Sequence, residues 1–150
     1  MRLDLARSIL IGLVAGISAA GCIPARTPDN LGATAGPPVV VTDTLYRGAA
    51  FSAYYPRGWR VITSAASAPP TVTFVAPDDC ALLLISAGPV AEPPISPVCP
   101  AADIRTTQQI ISLDERTITL AGSAPAADWS RFEMVAAQVA ASVRPEYNQP

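Results

Sequence analysis

The chain is expected to fold as an α+β domain: an antiparallel β-sheet of hairpins with a C-terminal amphipathic helix packed on one face. Short runs rich in Val, Ile, Thr, Tyr and Phe, punctuated by Pro, Gly and Asp, occupy the stretch from Phe51 to Leu120. Between Trp129 and Val143 the large apolar side chains recur at three- and four-residue spacing, the period of one helical face. The strands come first and the helix last, so the two kinds of element are segregated rather than alternating.

The first hairpin is expected where Phe51-Ser-Ala-Tyr-Tyr55 runs into Pro56-Arg57-Gly58 and returns as Trp59-Arg-Val-Ile-Thr63, with Gly58 free to take a positive dihedral in the turn. A second pair follows: Thr71-Val-Thr-Phe-Val75 is β-branched and aromatic, and Pro77-Asp78-Asp79 supplies turn chemistry. Ala81-Leu-Leu-Leu-Ile85 does not alternate, which predicts a central strand covered on both faces. Residues 87 to 101 hold Pro89, Pro93, Pro94, Pro97 and Pro100, which cannot donate to a sheet ladder, and so specify a surface loop. Gln108 to Leu113 and Thr117 to Leu120 are further strands, turned at Asp114-Glu115.

The helix is expected from Ala126 to Val143, with Trp129, Phe132, Ala136, Val139 and Val143 on its apolar stripe and Val135 and Ala140 beside it. Asp128 stands where an N-cap or first-turn acid favours the helix dipole, and Arg144-Pro145 marks the end. The folded domain is therefore placed at 45–144, with 145–150 as a frayed tail.

The stretch Phe51-Ser52-Ala53-Tyr54-Tyr55-Pro56-Arg57-Gly58-Trp59-Arg60-Val61 resembles the opening hairpin of the PsbP-like superfamily, where an aromatic strand runs into a Tyr-Pro turn and a Trp. The closing helix with Phe132 and Ser142-Val143 is similar to that family's last helix, although the family's longer helix between the early strands is not evident. The resemblance implies a fold and a non-catalytic accessory role, and it transfers no catalytic residue.

Ahead of the domain the chain reads as an export signal over 1–21. Arg2 and Arg7 give a positive start, Ile9 through Ile17 is apolar, and Ser18-Ala19-Ala20-Gly21 are small before Cys22. An apolar run of about a dozen residues is short for a permanent span, which takes about 20. Ala19-Ala20-Gly21-Cys22 resembles the lipobox of bacterial lipoproteins, with Ala19 where the family prefers Leu. The resemblance implies a diacylglycerol and a fatty acid such as palmitate on Cys22. The alternative is cleavage after Ser18-Ala19-Ala20 by an ordinary signal peptidase, giving a soluble secreted product. Residues 22–44 follow as a Pro- and Gly-rich tether with Pro24, Pro28, Pro37 and Pro38. At about 3 Å per residue such a segment reaches up to about 60 Å.

The three cysteines fit this reading. With Cys22 acylated, Cys80 and Cys99 remain as one disulfide pair, two buried free thiols being the alternative. A zinc site is disfavoured, since the chain has no histidine and too few thiolates.

Net charge is −2, and all ten cations are arginines scattered singly, so no basic stripe exists to bind nucleic acid. Without histidine or lysine the Ser-His-Asp and Cys-His arrangements, the Schiff-base lysine and the phosphate-cradling lysine are unavailable. The acid pairs Asp78-Asp79 and Asp114-Glu115 remain, and both sit where a turn explains them. No catalytic residue, metal site or cofactor is expected. Tyr54, sent to the face opposite Phe51 and Tyr55, and the loop prolines Pro89, Pro93, Pro94 and Pro97 are the candidate contact residues.

These features together predict a non-catalytic binding or accessory module on the extracytoplasmic face of a cell membrane. It would be held through a lipid on Cys22 and would dock on another envelope protein. An envelope-polymer hydrolase using paired carboxylates and a small-ligand carrier are the alternatives.

Overall fold

A computed structural model of the chain describes residues 39–63, 68–99 and 103–146. The expected signal, Cys22 and most of the tether lie outside the described residues, as does Pro100. The strands are β1 (Val40–Val41), β2 (Leu45–Arg47), β3 (Phe51–Tyr54), β4 (Arg60–Thr63), β5 (Thr71–Val75), β6 (Leu82–Ser86), β7 (Ile104–Leu113), β8 (Arg116–Pro125) and β9 (Arg144–Pro145). A short 3-10 turn, Ala126–Asp128, leads into the helix α1, Trp129–Ser142. The α+β class and the C-terminal helix packed against a sheet are as the sequence predicts.

The strands form two antiparallel sheets rather than one, a small sheet in the order β1-β2-β3-β9 and a large one in the order β4-β5-β6-β8-β7. The expected hairpin between Phe51–Tyr55 and Trp59–Thr63 does not form. A strand has two hydrogen-bonding edges, and both edges of β3 are taken, by β2 and by β9. The Pro56–Gly58 turn therefore carries the chain from the small sheet to the large one, where β4 pairs with β5. Gly58 takes φ 85°, a conformation that favours glycine, and the Trp59 amide donates to the Pro56 carbonyl at 3.2 Å.

The second hairpin forms as expected, with Thr71 opposite Ser86 and Val75 opposite Leu82. Its strand β6 is the middle strand of the large sheet. Leu83 and Ile85 are fully buried while Leu82 and Leu84 are half-buried, so the apolar run is covered more completely on one face than the other. The β7–β8 hairpin is longer than its sequence signal. Its register runs unbroken from Ile104 opposite Pro125 to Leu113 opposite Arg116, turning at Asp114, which takes φ 51° as Asp tolerates.

The alternation of faces fixes the layers. Val72 and Phe74, Leu83 and Ile85, and Ile118 and Leu120 point to the inner face of the large sheet and are all fully buried. There Phe74 stacks on Tyr55 at 4.8 Å between ring centroids and meets Tyr46 edge-on at 6.3 Å, which joins the small sheet to the large one. The helix covers the same face with Phe132, Ala136 and Val139. At its end the Ser142 hydroxyl accepts from the Tyr54 amide at 2.9 Å and donates to the Val139 carbonyl at 2.7 Å. Asp128 occupies the N-cap position without a side-chain capping bond.

The outer face of the large sheet is covered by the proline loop. The Ser123 hydroxyl donates to the Pro94 carbonyl, the Gln108 amide donates to the Val90 carbonyl at 3.1 Å, and the Cys80–Cys99 disulfide, with 5.5 Å between Cα atoms, staples the loop to the start of β6. The residues at the two margins of the expected domain are ordered parts of it. Val40–Val41 pairs with β2, within the segment read as tether, because it follows the last tether proline, Pro38. Pro145 pairs with Phe51, the Glu146 amide donates to the Ala50 carbonyl at 3.1 Å, and Glu146 pairs with Arg47 at 3.0 Å, so the chain just past the helix is a strand and not a frayed end. No helix among the described residues is long and apolar enough to cross a membrane.

Candidate functional site

Three connections at one end of the fold enclose a cleft of about 310 Å³: the Pro56–Gly58 crossover, the β5–β6 turn, and the passage from β8 into α1. Each is rigid for a local reason. Pro56, Pro77 and Pro125 fix φ where strands β3, β5 and β8 finish. The β5–β6 turn is closed twice over, by the Ala76 amide on the Ala81 carbonyl at 2.9 Å and by the Asp79 amide on the Ala76 carbonyl at 3.0 Å.

Trp59, Phe132 and Val135, together with Ala76 and Ala81, supply the apolar lining of the cleft. Arg57, Asp78, Asp128 and Arg131 stand around it. Asp78 accepts the Cys80 amide at 3.0 Å, and Arg57 pairs with Asp43 at 2.8 Å in an exposed ion pair of small energetic weight. The side chains of Asp128 and Arg131 form no hydrogen bond or ion pair among the described residues. The site thus presents an apolar slot with two basic and two acidic groups in its lining.

Among the described residues the lining contains no Ser, Thr, Cys or Tyr, the side chains that most often supply a hydroxyl or thiol nucleophile. The expected acid pair Asp78-Asp79 is split by its turn. Asp78 faces the cleft, whereas Asp79, at φ 61°, ion-pairs with Arg60 while its carbonyl accepts the Ser96 hydroxyl at 2.5 Å. Asp114 and Glu115 cap the β7–β8 hairpin. Among the described residues no three His, Cys, Asp or Glu side chains gather as a metal-ligand set.

None of the sequence-derived contact residues lines this cleft. Tyr54 is 60% exposed on the outer face of the small sheet. Pro89 and Pro97 are exposed and Pro93 and Pro94 half-buried in the loop on the outer face of the large sheet. The two sheets meet by their inner faces, so Tyr54 and the loop lie on opposite outer faces and are not brought together. The cleft carried one sequence signal, three prolines each closing a strand, but only the sheet topology shows that those strand ends converge. Comparison with known protein families, with curated proteins and with solved structures finds no match to the chain.

Proposed function

We propose that the protein is a non-catalytic, lipid-anchored extracytoplasmic module that docks on another envelope protein by accepting a protruding apolar side chain and its charged neighbours into the end cleft. The observation that carries this reading is the cleft's construction: an aromatic and aliphatic lining, proline-stiffened walls, and the side chains of Asp128 and Arg131, which have no partner among the described residues. A slot of about 310 Å³ is near the lower bound of ligand pockets, the size of one large side chain with its flanks and small for an enclosed carrier site. The disulfide supports an oxidising compartment. The run of small residues before Cys22 supports a lipid anchor. Anchoring on a tether raises the module's effective concentration near membrane neighbours, so modest intrinsic affinity suffices.

The experiment has two parts. Replacing Cys22 by Ser should stop incorporation of labelled fatty acid and release the protein from membranes; a wild type that takes up no label ends the anchor reading. A photo-cross-linking residue at position 131, beside the cleft, should give one discrete adduct with an envelope protein, and the same residue at position 138, on the exposed side of the helix, should give none. Cell-wall glycan hydrolysis by the wild type that disappears in Asp78→Asn and Asp128→Asn would replace the docking reading with an enzyme.

A further inference from the structure

The large sheet ends on β7, Ile104–Leu113, which among the described residues pairs only with β8. Its outer edge presents a row of main-chain donors and acceptors. Edge strands are ordinarily kept from pairing by shortness, charge, proline or a bulge. The edges β1 and β9 have 2 residues each, and β4 has 4 and carries Arg60. β7 has 10 residues, pairs with β8 without a bulge, and from Thr106 to Leu113 holds neither a charge nor a proline. Ile110 stands along it, 67% exposed.

We propose that β7 is a self-association edge, through which two copies of this chain pair antiparallel about a twofold axis at Ile110 and join their large sheets into one. The register follows from symmetry and charge. A twofold axis perpendicular to the sheet pairs residues of the same face, so the axis falls on a residue. With the axis at Ile110, that side chain meets its own copy, Gln108 meets Ser112, Gln109 meets Ile111 and Thr107 meets Leu113. Just beyond the overlap Arg105 of each copy comes beside Glu115 of the other, at both ends of the interface. Moving the axis to Gln109 sets Asp103 against Glu115, two like charges, and leaves Ile110 opposite Gln108. Only the Ile110 register both covers the exposed isoleucine and matches the charges, and that complementarity selects a second copy as the occupant. The chain's own segment ahead of Val39 is a poor competitor, because Pro24, Pro28, Pro37 and Pro38 and the glycines at 32 and 36 disfavour a strand.

This inference is independent of the cleft. Sedimentation velocity of the full chain in detergent should show a dimer. Ile110→Lys should weaken self-association about 100-fold, through loss of the apolar contact between the two Ile110 side chains and the like charges that replace it. Ile62→Lys, at an exposed position on β4, should sediment as the wild type does. Arg105→Glu should weaken the dimer, and Arg105→Glu combined with Glu115→Arg should restore it, which tests the register without disturbing the apolar centre. A short thiol cross-linker should trap Ile110→Cys as a dimer in membranes. A monomeric wild type, a dimer indifferent to Ile110→Lys, or cross-linking of position 110 to a different polypeptide would each overturn the proposal.

Discussion

The ring of Phe132 in α1 rests against the backbone of Gly122 in β8: a Cβ at position 122 would lie 2.6 Å from the ring's Cζ and 2.8 Å from the Leu82 carbonyl oxygen. The height of the helix above the sheet is therefore set by a side chain that is missing. The neighbour on one side is main chain, which cannot swing away.

Gly122→Ala should destabilise the fold by about 1–3 kcal/mol through overpacking. Phe132→Ala, which empties the same contact from the other side, should cost about 3–5 kcal/mol. Gln138→Ala, on the exposed side of the helix, should stay within about 0.5 kcal/mol. Denaturant midpoints measure all three, and equal effects at 132 and 138 would show that the helix face is misplaced. Gly122→Ala with Phe132→Leu should cost less than the sum of the separate changes, since the smaller side chain relieves the clash.

Removing the Cys80–Cys99 bridge should destabilise by about 3 kcal/mol, the chain-entropy value for a closed loop spanning 19 residues. Hydrogen exchange should locate the change in residues 87–99, where the Ser123 and Gln108 bonds to the loop would then lack their covalent support. In the wild type, alkylation after denaturation without reductant should leave Cys80 and Cys99 unmodified.

Alkaline pH should weaken the fold through two tyrosines. Burial raises the Tyr46 phenol above its ordinary 10.0, and burial followed by the nearby Asp43 carboxylate raises Tyr55, whose hydroxyl donates to the Thr42 carbonyl. The folded chain holds these protons more tightly than the unfolded chain. Their contribution is therefore complete below pH 10.0 and is lost as pH rises beyond it through the folded values. Urea midpoints that decline above that pH in the wild type, and decline less in Tyr46→Phe, are the expected result.

Ser142→Ala should cost about 0.5–1.5 kcal/mol, because the Tyr54 amide loses its acceptor where the helix end meets β3. Amide exchange at Tyr54 should quicken by more than at Phe51, whose main-chain bonding to Gly48 is untouched.

The fold was legible where a signal was local. Thr71–Val75, Leu82–Ser86 and the stripe through Phe132, Ala136 and Val139 each declare their element by composition and period, and cysteine parity announces the bridge. What failed was pairing. Phe51–Tyr54 and Arg60–Thr63 look like a hairpin because a good turn joins them, and nothing local reveals that Arg144–Pro145, at the far end of the chain, claims the edge β4 would have used. The cleft was hidden for the same reason. Trp59, Asp78 and Arg131 lie far apart in sequence, and each alone reads as a turn or helix residue.

The small sheet takes three strands from the start of the described chain and its fourth from the finish. A polypeptide that emerges N-terminus first, from a ribosome or through a translocation pore, has every strand of the large sheet in hand before Arg144–Pro145 appears. Until then one edge of β3 stays open, and closing it joins Phe51 to Pro145, the longest-range strand pairing in the fold. The Arg144–Pro145 strand therefore acts as a latch on assembly order. A chain stopped after Ser142 would keep every residue of its large sheet and its helix, but would expose β3 to whatever strand it met first.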